Sequence, residues 1–101
     1  MATTITDHDS AARYEVHVDE ALAGFADRSR TDGTMVLPHT VVEPRFQGQG
    51  LAAQLVRRAL DDARAEGLSV APVCSYVAHF LHRHPDDLDL VPEAERARYG
   101  L

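Results

Sequence analysis

A chain of 101 residues has room for one domain and one modest core. Its 16 acidic against 10 basic residues leave a formal charge of −6, which argues against general affinity for nucleic acid. No apolar run approaches the ~20 residues that span a bilayer, and a single cysteine, Cys74, excludes an internal disulfide and suits a reducing, cytoplasmic setting.

Met1 to Ser10 is polar and lacks the basic-then-apolar pattern of a signal peptide. It is expected to be a flexible N-terminus, with the domain running over residues 11–101. From Arg13 to Val18 the chain alternates, setting Tyr14, Val16 and Val18 on one face of a half-buried strand. Asp19 and Glu20 can turn it, and Leu22 to Arg28 then runs back as its partner. Asp32-Gly33 is a second hairpin signal, because such turns require a positive φ that glycine accepts. The next strand is expected over Thr34 to Val42, distorted near Pro38, which has no N–H to give the ladder.

After Glu43-Pro44 comes Arg45-Phe46-Gln47-Gly48-Gln49-Gly50-Leu51. A helix is expected from about Gly50 to Glu66, with Leu51, Leu55, Val56, Ala59, Leu60 and Ala63 at helical spacing and Gly67 closing it. Leu68 to Val73 reads as a further strand. Ser75 is expected to cap a second helix through His84, with Tyr76, Val77, Phe80, Leu81 and His84 as the inward stripe, and Pro85 stops it. Leu88, Leu90 and Val91 are expected in an irregular packed segment, and Glu93 to Arg98 in a final helical turn. The order β-β-β-α-β-α predicts an α/β (α+β) domain, with a mixed, mostly antiparallel sheet, a right-handed β-α-β crossover and covering helices.

A strand that breaks into a glycine-bearing turn and then a helix aims free backbone N–H groups at one point, a geometry that binds anions. The stretch is no Walker loop, since no Lys-Ser or Lys-Thr pair follows the glycines. Ala53 completes a dinucleotide-like Gly48-x-Gly50-x-x-Ala53, but that fingerprint opens a parallel sheet, whereas antiparallel strands come first here.

Arg45-x-x-Gly48-x-Gly50 instead resembles the pyrophosphate-binding motif of the GNAT superfamily of N-acetyltransferases. Leu37 to Val42, Ala59 to Arg64, Val70 to Cys74 and His84-Pro85 extend the similarity over roughly Tyr14 to Val91, and look like the short, single-domain YjdJ-like subgroup. The resemblance implies acetyl-CoA as cofactor and transfer of an acetyl group to an amine on a small molecule or a peptide. A non-catalytic CoA- or acyl-CoA-binding module is the alternative.

By the same resemblance, the strands of Thr34–Val42 and Leu68–Val73 splay apart around the cofactor. Val41 and Val42 would contact the pantetheine arm through their backbone, and Arg45, Phe46, Gln47, Gly48, Gln49, Gly50 and Leu51 would hold the pyrophosphate. Cys74 is the sharpest catalytic candidate, because the start of a helix favours a thiolate. It would act as nucleophile, or as acid and contact beside the CoA sulfur, or it would only pack. Tyr76 is a candidate to protonate the leaving thiolate, weighed against packing in the core. His39 is a candidate general base, weighed against a structural hydrogen bond in the sheet. His79, His82 and His84 do not make a metal set, since His84 points elsewhere and no carboxylate or cysteine completes it. His79 or Arg83 stands open as a contact to the CoA tail or the acceptor. Larger GNAT enzymes carry a helical pair where only Asp19 and Glu20 stand here, so the acceptor side is expected to be open or completed by a partner, in a monomer or a homodimer.

Overall fold

The computed structural model describes residues 2–101. Seven strands run through it: β1 (Thr3–His8), β2 (Arg13–Val18), β3 (Ala21–Asp27), β4 (Ser29–Thr31), β5 (Thr34–Val36), β6 (Thr40–Val42) and β7 (Ser69–Ala71). Two α-helices, α1 (Leu51–Ala65) and α2 (Ser75–Arg83), cover the sheet. The chain closes in 3-10 turns over Pro85–Leu90 and Glu93–Tyr99. The strands form two hydrogen-bonded groups, one ordered β1-β2-β3-β6 and the other β4-β5-β7. Every pairing is antiparallel except β5 with β7, which α1 connects as a parallel crossover.

The expected frayed N-terminus is corrected by β1. Thr3 to His8 pairs in register with Val18 to Arg13. Polar composition hides this strand because it lies at the sheet edge, where only Ile5 packs against the core. Threonines suit an extended edge, and the Arg28 guanidinium ties β1 down through Asp7. Both hairpin turns form as read: Asp19 and Glu20 have φ of 48° and 75°, and Asp32 and Gly33 have 50° and 76°. These positive pairs match the twist of the strands that they join.

The segment expected as one strand over Thr34–Val42 is two. The Leu37 N–H donates to Ala71 O (3.0 Å) and its carbonyl accepts from the Cys74 N–H (2.8 Å), so Leu37 still belongs with β7. Two residues on, the His39 carbonyl accepts from the Asp27 N–H (2.9 Å) and the chain has crossed to β3. Pro38, which lacks a donor, stands at the changeover. The sheet parts at this point.

The core fills the face under α1. Tyr14, Val16 and Val18 of β2 pack there with Leu51, Leu55, Val56, Ala59, Leu60 and Ala63, the stripe that the helical spacing predicts. From α2 come Val77, Phe80 and Leu81. Tyr76 and His84 do not join that stripe. Tyr76 is 37% exposed, and His84 turns its ring flat onto Phe80 (4.0 Å between centroids) while Nδ1 bonds the Phe80 carbonyl at 2.8 Å. The residue in the cap position of α2 is Cys74, and no side chain caps that end. Leu90 and Val91 are buried as the tail crosses back. Among the described residues no helix is long and apolar enough to cross a membrane.

Candidate functional site

The parted sheet and the start of α1 enclose a cleft of about 330 Å³. Thr40 and Val42 of β6 form one wall, Phe46, Gln47, Gly48 and Gly50 the rim, and Leu51 to Ala53 the floor, with Tyr76 of α2 opposite. Residues separated by as many as 36 positions converge there because the glycine turn joins the strand to the helix.

Gly48 and Gly50 hold φ of 84° and 73°, the left-handed region that other residues reach only with strain. A Cβ on either would meet no protein atom within 4 Å, so the turn presents bare backbone to open space. The first helical bond runs from the Gln54 N–H to Gly50 O (3.2 Å). The N–H groups of Leu51, Ala52 and Ala53 therefore have no acceptor in the helix. No side chain caps them, and no acidic residue sits in the first turn to satisfy the helix dipole. These donors, with the dipole behind them, fit a phosphate group.

Arg45 lies beside the turn rather than in the cleft wall. It is 68% exposed, 3.5 Å from Glu43, and its guanidinium stands 4.5 Å over the Phe46 ring. The Gln47 side-chain amide donates to the Val42 carbonyl (3.4 Å). Gln49 is exposed and does not line the cleft.

Strand alternation separates the two valines. The Glu43 N–H donates to Ala23 O at 2.8 Å, and the Asp27 N–H to His39 O. Hydrogen-bonding groups alternate sides along a strand, so Val41 between them also turns its N–H and C=O to β3. A Cβ on Gly24 of β3 would stand 2.5 Å from the Val41 carbonyl oxygen, which locates that oxygen on the β3 side. The backbone groups of Thr40 and Val42 face the cleft instead. Val41, expected to offer its backbone to a ligand, thus turns it to β3, while Thr40, which the sequence reading did not name, turns its own to the cleft. The period-two pattern of the strand was the signal for it, since Thr40 and Val42 share a face.

The three catalytic candidates are not brought together. Tyr76 lines the cleft with its ring exposed, so it is not core packing. Cys74 is half-buried, and its thiol donates to Thr40 Oγ1 across the parted strands at 3.6 Å. His39 lies elsewhere: it is 72% exposed on the opposite side of the sheet from Thr40, with Nδ1 3.7 Å from Asp27 Oδ2. One residue of offset along an extended chain sends the imidazole to the other face. His79 and His82 line a separate hollow of about 540 Å³ together with Val73, Ser75 and Tyr99.

A strand, a bare glycine turn and an uncapped helix beside parted strands define an α/β domain whose free N–H donors converge on one cleft. The family model described as GCN5-related N-acetyl-transferase matches residues 13–90, and the chain belongs to that family. Solved structures share the fold. The ribosomal-protein-S18-alanine N-acetyltransferase from Escherichia coli is 22% identical, over 57% of this chain and 38% of its own, with a TM-score of 0.56. PaiA N-acetyltransferase from Thermoplasma acidophilum, solved in complex with coenzyme A, is 16% identical over 55% and 35%, with a TM-score of 0.53. N-acetylglutamate synthase from Neisseria gonorrhoeae, complexed with coenzyme A and N-acetyl-glutamate, is 18% identical over 94% of this chain and 26% of its own, with a TM-score of 0.58. The chain thus spans well under half the length of each of these structures. No curated protein matches it in sequence.

Proposed function

We propose that this domain binds acetyl-CoA and transfers the acetyl group to an amine acceptor, as a short GNAT of the YjdJ-like kind. The cleft carries this reading: bare glycine backbone and the first turn of α1 at one end, outward backbone of β6 along the wall, and Tyr76 opposite. When bound, acetyl-CoA supplies the acyl carbon whose bond to sulfur is replaced by a bond to nitrogen. The residues of the chain then have distinct tasks. Gly48 to Ala53 hold the pyrophosphate by N–H donation. Thr40 and Val42 align the pantetheine arm along the backbone edge that they turn away from β3, where the Gln47 amide shares the Val42 carbonyl. Tyr76, exposed in the cleft wall, donates its hydroxyl proton to the departing thiolate, and the proton that the amine nitrogen loses on acylation returns through solvent to the tyrosine. Cys74 stands behind Thr40 at the thioester end, bonded across the splay to the Thr40 hydroxyl.

The acceptor is assigned to the hollow beside Val73 and Ser75, which flank Cys74 and which no glycine-turn residue lines. The charge of −6 supports an amine-bearing small molecule or peptide over a nucleic acid, and a cytoplasmic setting supplies acetyl-CoA. A monomer or a homodimer would serve.

One observation favours the second reading, a CoA-binding module without turnover. No carboxylate or imidazole lines the cleft to deprotonate an amine, since His39 points away from it. Release of free CoA that depends on added amine separates the two readings. Tight acetyl-CoA binding with no release across a panel of amines and peptides leaves the binding module. Binding that survives Gly48→Glu unchanged removes the glycine turn from the site altogether. Intact mass after incubation with acetyl-CoA tests a covalent role for Cys74: an increase that Cys74→Ser abolishes makes it the nucleophile.

A further inference from the structure

The ten cationic side chains of the protein are all arginines, for the sequence contains no lysine. Nine of them are held within the protein by carboxylates or carbonyls, from Arg13 on Glu15 to Arg98 on Glu95. Arg83, in the last turn of α2, is the one without such a partner among the described residues. A cation there is favoured by the helix dipole. That dipole does not explain the cavity that Arg83 lines.

Arg83 lines a hollow of about 440 Å³ together with Ala53, Tyr76, His79, Phe80 and His84. Ala53 and Tyr76 also line the cleft at the glycine turn, so the two cavities meet. No carboxylate borders the hollow, in a chain whose formal charge is −6. One wall is rigid: His84 is stacked on Phe80 and its Nδ1 is engaged by the Phe80 carbonyl. Arg45, the other arginine near the turn, is already committed to Glu43 and Phe46.

We propose that this hollow receives the adenosine end of coenzyme A, with Arg83 pairing to the phosphate on its ribose 3′ oxygen. The proposal rests on the CoA-binding reading above. A pyrophosphate on the first turn of α1 leaves the attached nucleoside at the mouth of the cleft, where Ala53 of that same turn borders the second hollow. The 3′-phosphate is a dianion on a neutral sugar, and guanidinium geometry suits it. Arg83 thereby distinguishes coenzyme A from ligands that end in an unphosphorylated ribose.

Calorimetric titration of the wild-type chain and of Arg83→Gln, each with CoA and with 3′-dephospho-CoA, tests this. The wild type is expected to bind CoA about tenfold more tightly than dephospho-CoA, the size of one solvent-accessible charged hydrogen bond. Arg83→Gln should lose that preference by weakening CoA alone, with a melting temperature lowered by no more than the loss of one cation at a helix end, because the side chain has no partner in the protein. Equal affinity of the wild type for the two ligands, or equal weakening of both by Arg83→Gln, overturns the Arg83 assignment and leaves the glycine turn standing. A wild type that binds neither ligand overturns both.

Discussion

The Cys74 thiol and the Thr40 hydroxyl meet at 3.6 Å across the point where β6 and the end of β7 part. Their contact spans the gap that the backbone leaves open after Leu37. The thiol is half-buried, and Thr40 stands between it and the cleft, so the two residues form one feature of the splay. Thr40→Ala removes both the acceptor and the bulk in front of the sulfur. Alkylation of Cys74 by a small reagent such as iodoacetamide is expected to become several-fold faster in this variant, measured by intact mass against time. Unchanged labelling would mean that the thiol is reached from the hollow beside Ser75 instead. Saturating CoA should slow labelling in the wild type if the thioester end lies where the cleft directs it.

Tyr76 is exposed and has no hydrogen-bond partner to lose, so Tyr76→Phe should leave stability within about 0.5 kcal/mol of wild type. If its hydroxyl protonates the leaving thiolate, kcat should fall by about 10²-fold, the lower end of what a positioned acid contributes, with KM for acetyl-CoA little changed. Steady-state kinetics on an amine that the wild type acetylates measures both. An unchanged kcat removes Tyr76 from proton transfer and leaves it as a wall of the cleft.

Most of the fold was legible from local chemistry. The α1 stripe, the Gly67 close with φ of 70° and the two positive-φ hairpin turns each follow from a few neighbouring residues. Family membership followed from the spacing of Arg45, Gly48 and Gly50 in that context. What was hidden depends on partners far along the chain. β1 has one apolar inward residue, Ile5, and becomes a strand only because β2 offers an edge and Arg28 and Arg58 reach back to it. The break at Pro38 was visible as a distortion, but the switch of partner from β7 to β3 was not. That switch decides which backbone groups of β6 face the cleft, so that Thr40 rather than Val41 turns its backbone there and His39 lies on the far face. Arg83 was visible only as an open possibility, because the pairing of the other nine arginines is a tertiary fact.

Asp87 predicts how the fold responds to acid. It is almost buried and receives both nitrogens of Arg57, at 2.7 and 2.8 Å, with Arg64 at 3.4 Å. The Arg57 guanidinium holds its carboxyl below the usual carboxylate range, as the hydrogen bonds favour the ionised form more than burial opposes it. A depressed folded pKa stabilises the protein above the unfolded value of about 3.9, and that contribution is lost as pH falls through the folded value. Stability should therefore be level above about pH 5 and decline below about pH 4. Asp87→Asn should lower stability at pH 7 by about 1–2 kcal/mol, a figure kept small because Arg57 remains 40% exposed and can rehydrate. Its decline toward acid should also be shallower. Urea melts across pH measure both, and parallel wild-type and variant curves would mean that Asp87 is not the group that titrates.

Gly24 ties the stability of the sheet to the shape of the cleft. It lies opposite Val42 in the β3–β6 pair, and a Cβ there would sit 2.5 Å from the Val41 carbonyl oxygen and 3.1 Å from Val42 Cα. Those atoms are backbone, so they give way only if β6 moves off β3. Gly24→Ala is expected to cost about 1–3 kcal/mol, as overpacking against a fixed strand does. Because β6 also carries the Thr40 and Val42 groups that face the cleft, the same shift should weaken CoA binding. Gly33→Ala provides the contrast. With φ of 76° at the tip of the β4–β5 turn, it should cost about 1 kcal/mol through backbone strain alone, since a Cβ there meets nothing. Thermal melts and CoA titrations of the two variants should therefore diverge, with both destabilised and only Gly24→Ala losing affinity. If Gly24→Ala binds CoA as the wild type does, the outward backbone of β6 does not contact the ligand, and the wall of the site must be sought on α2.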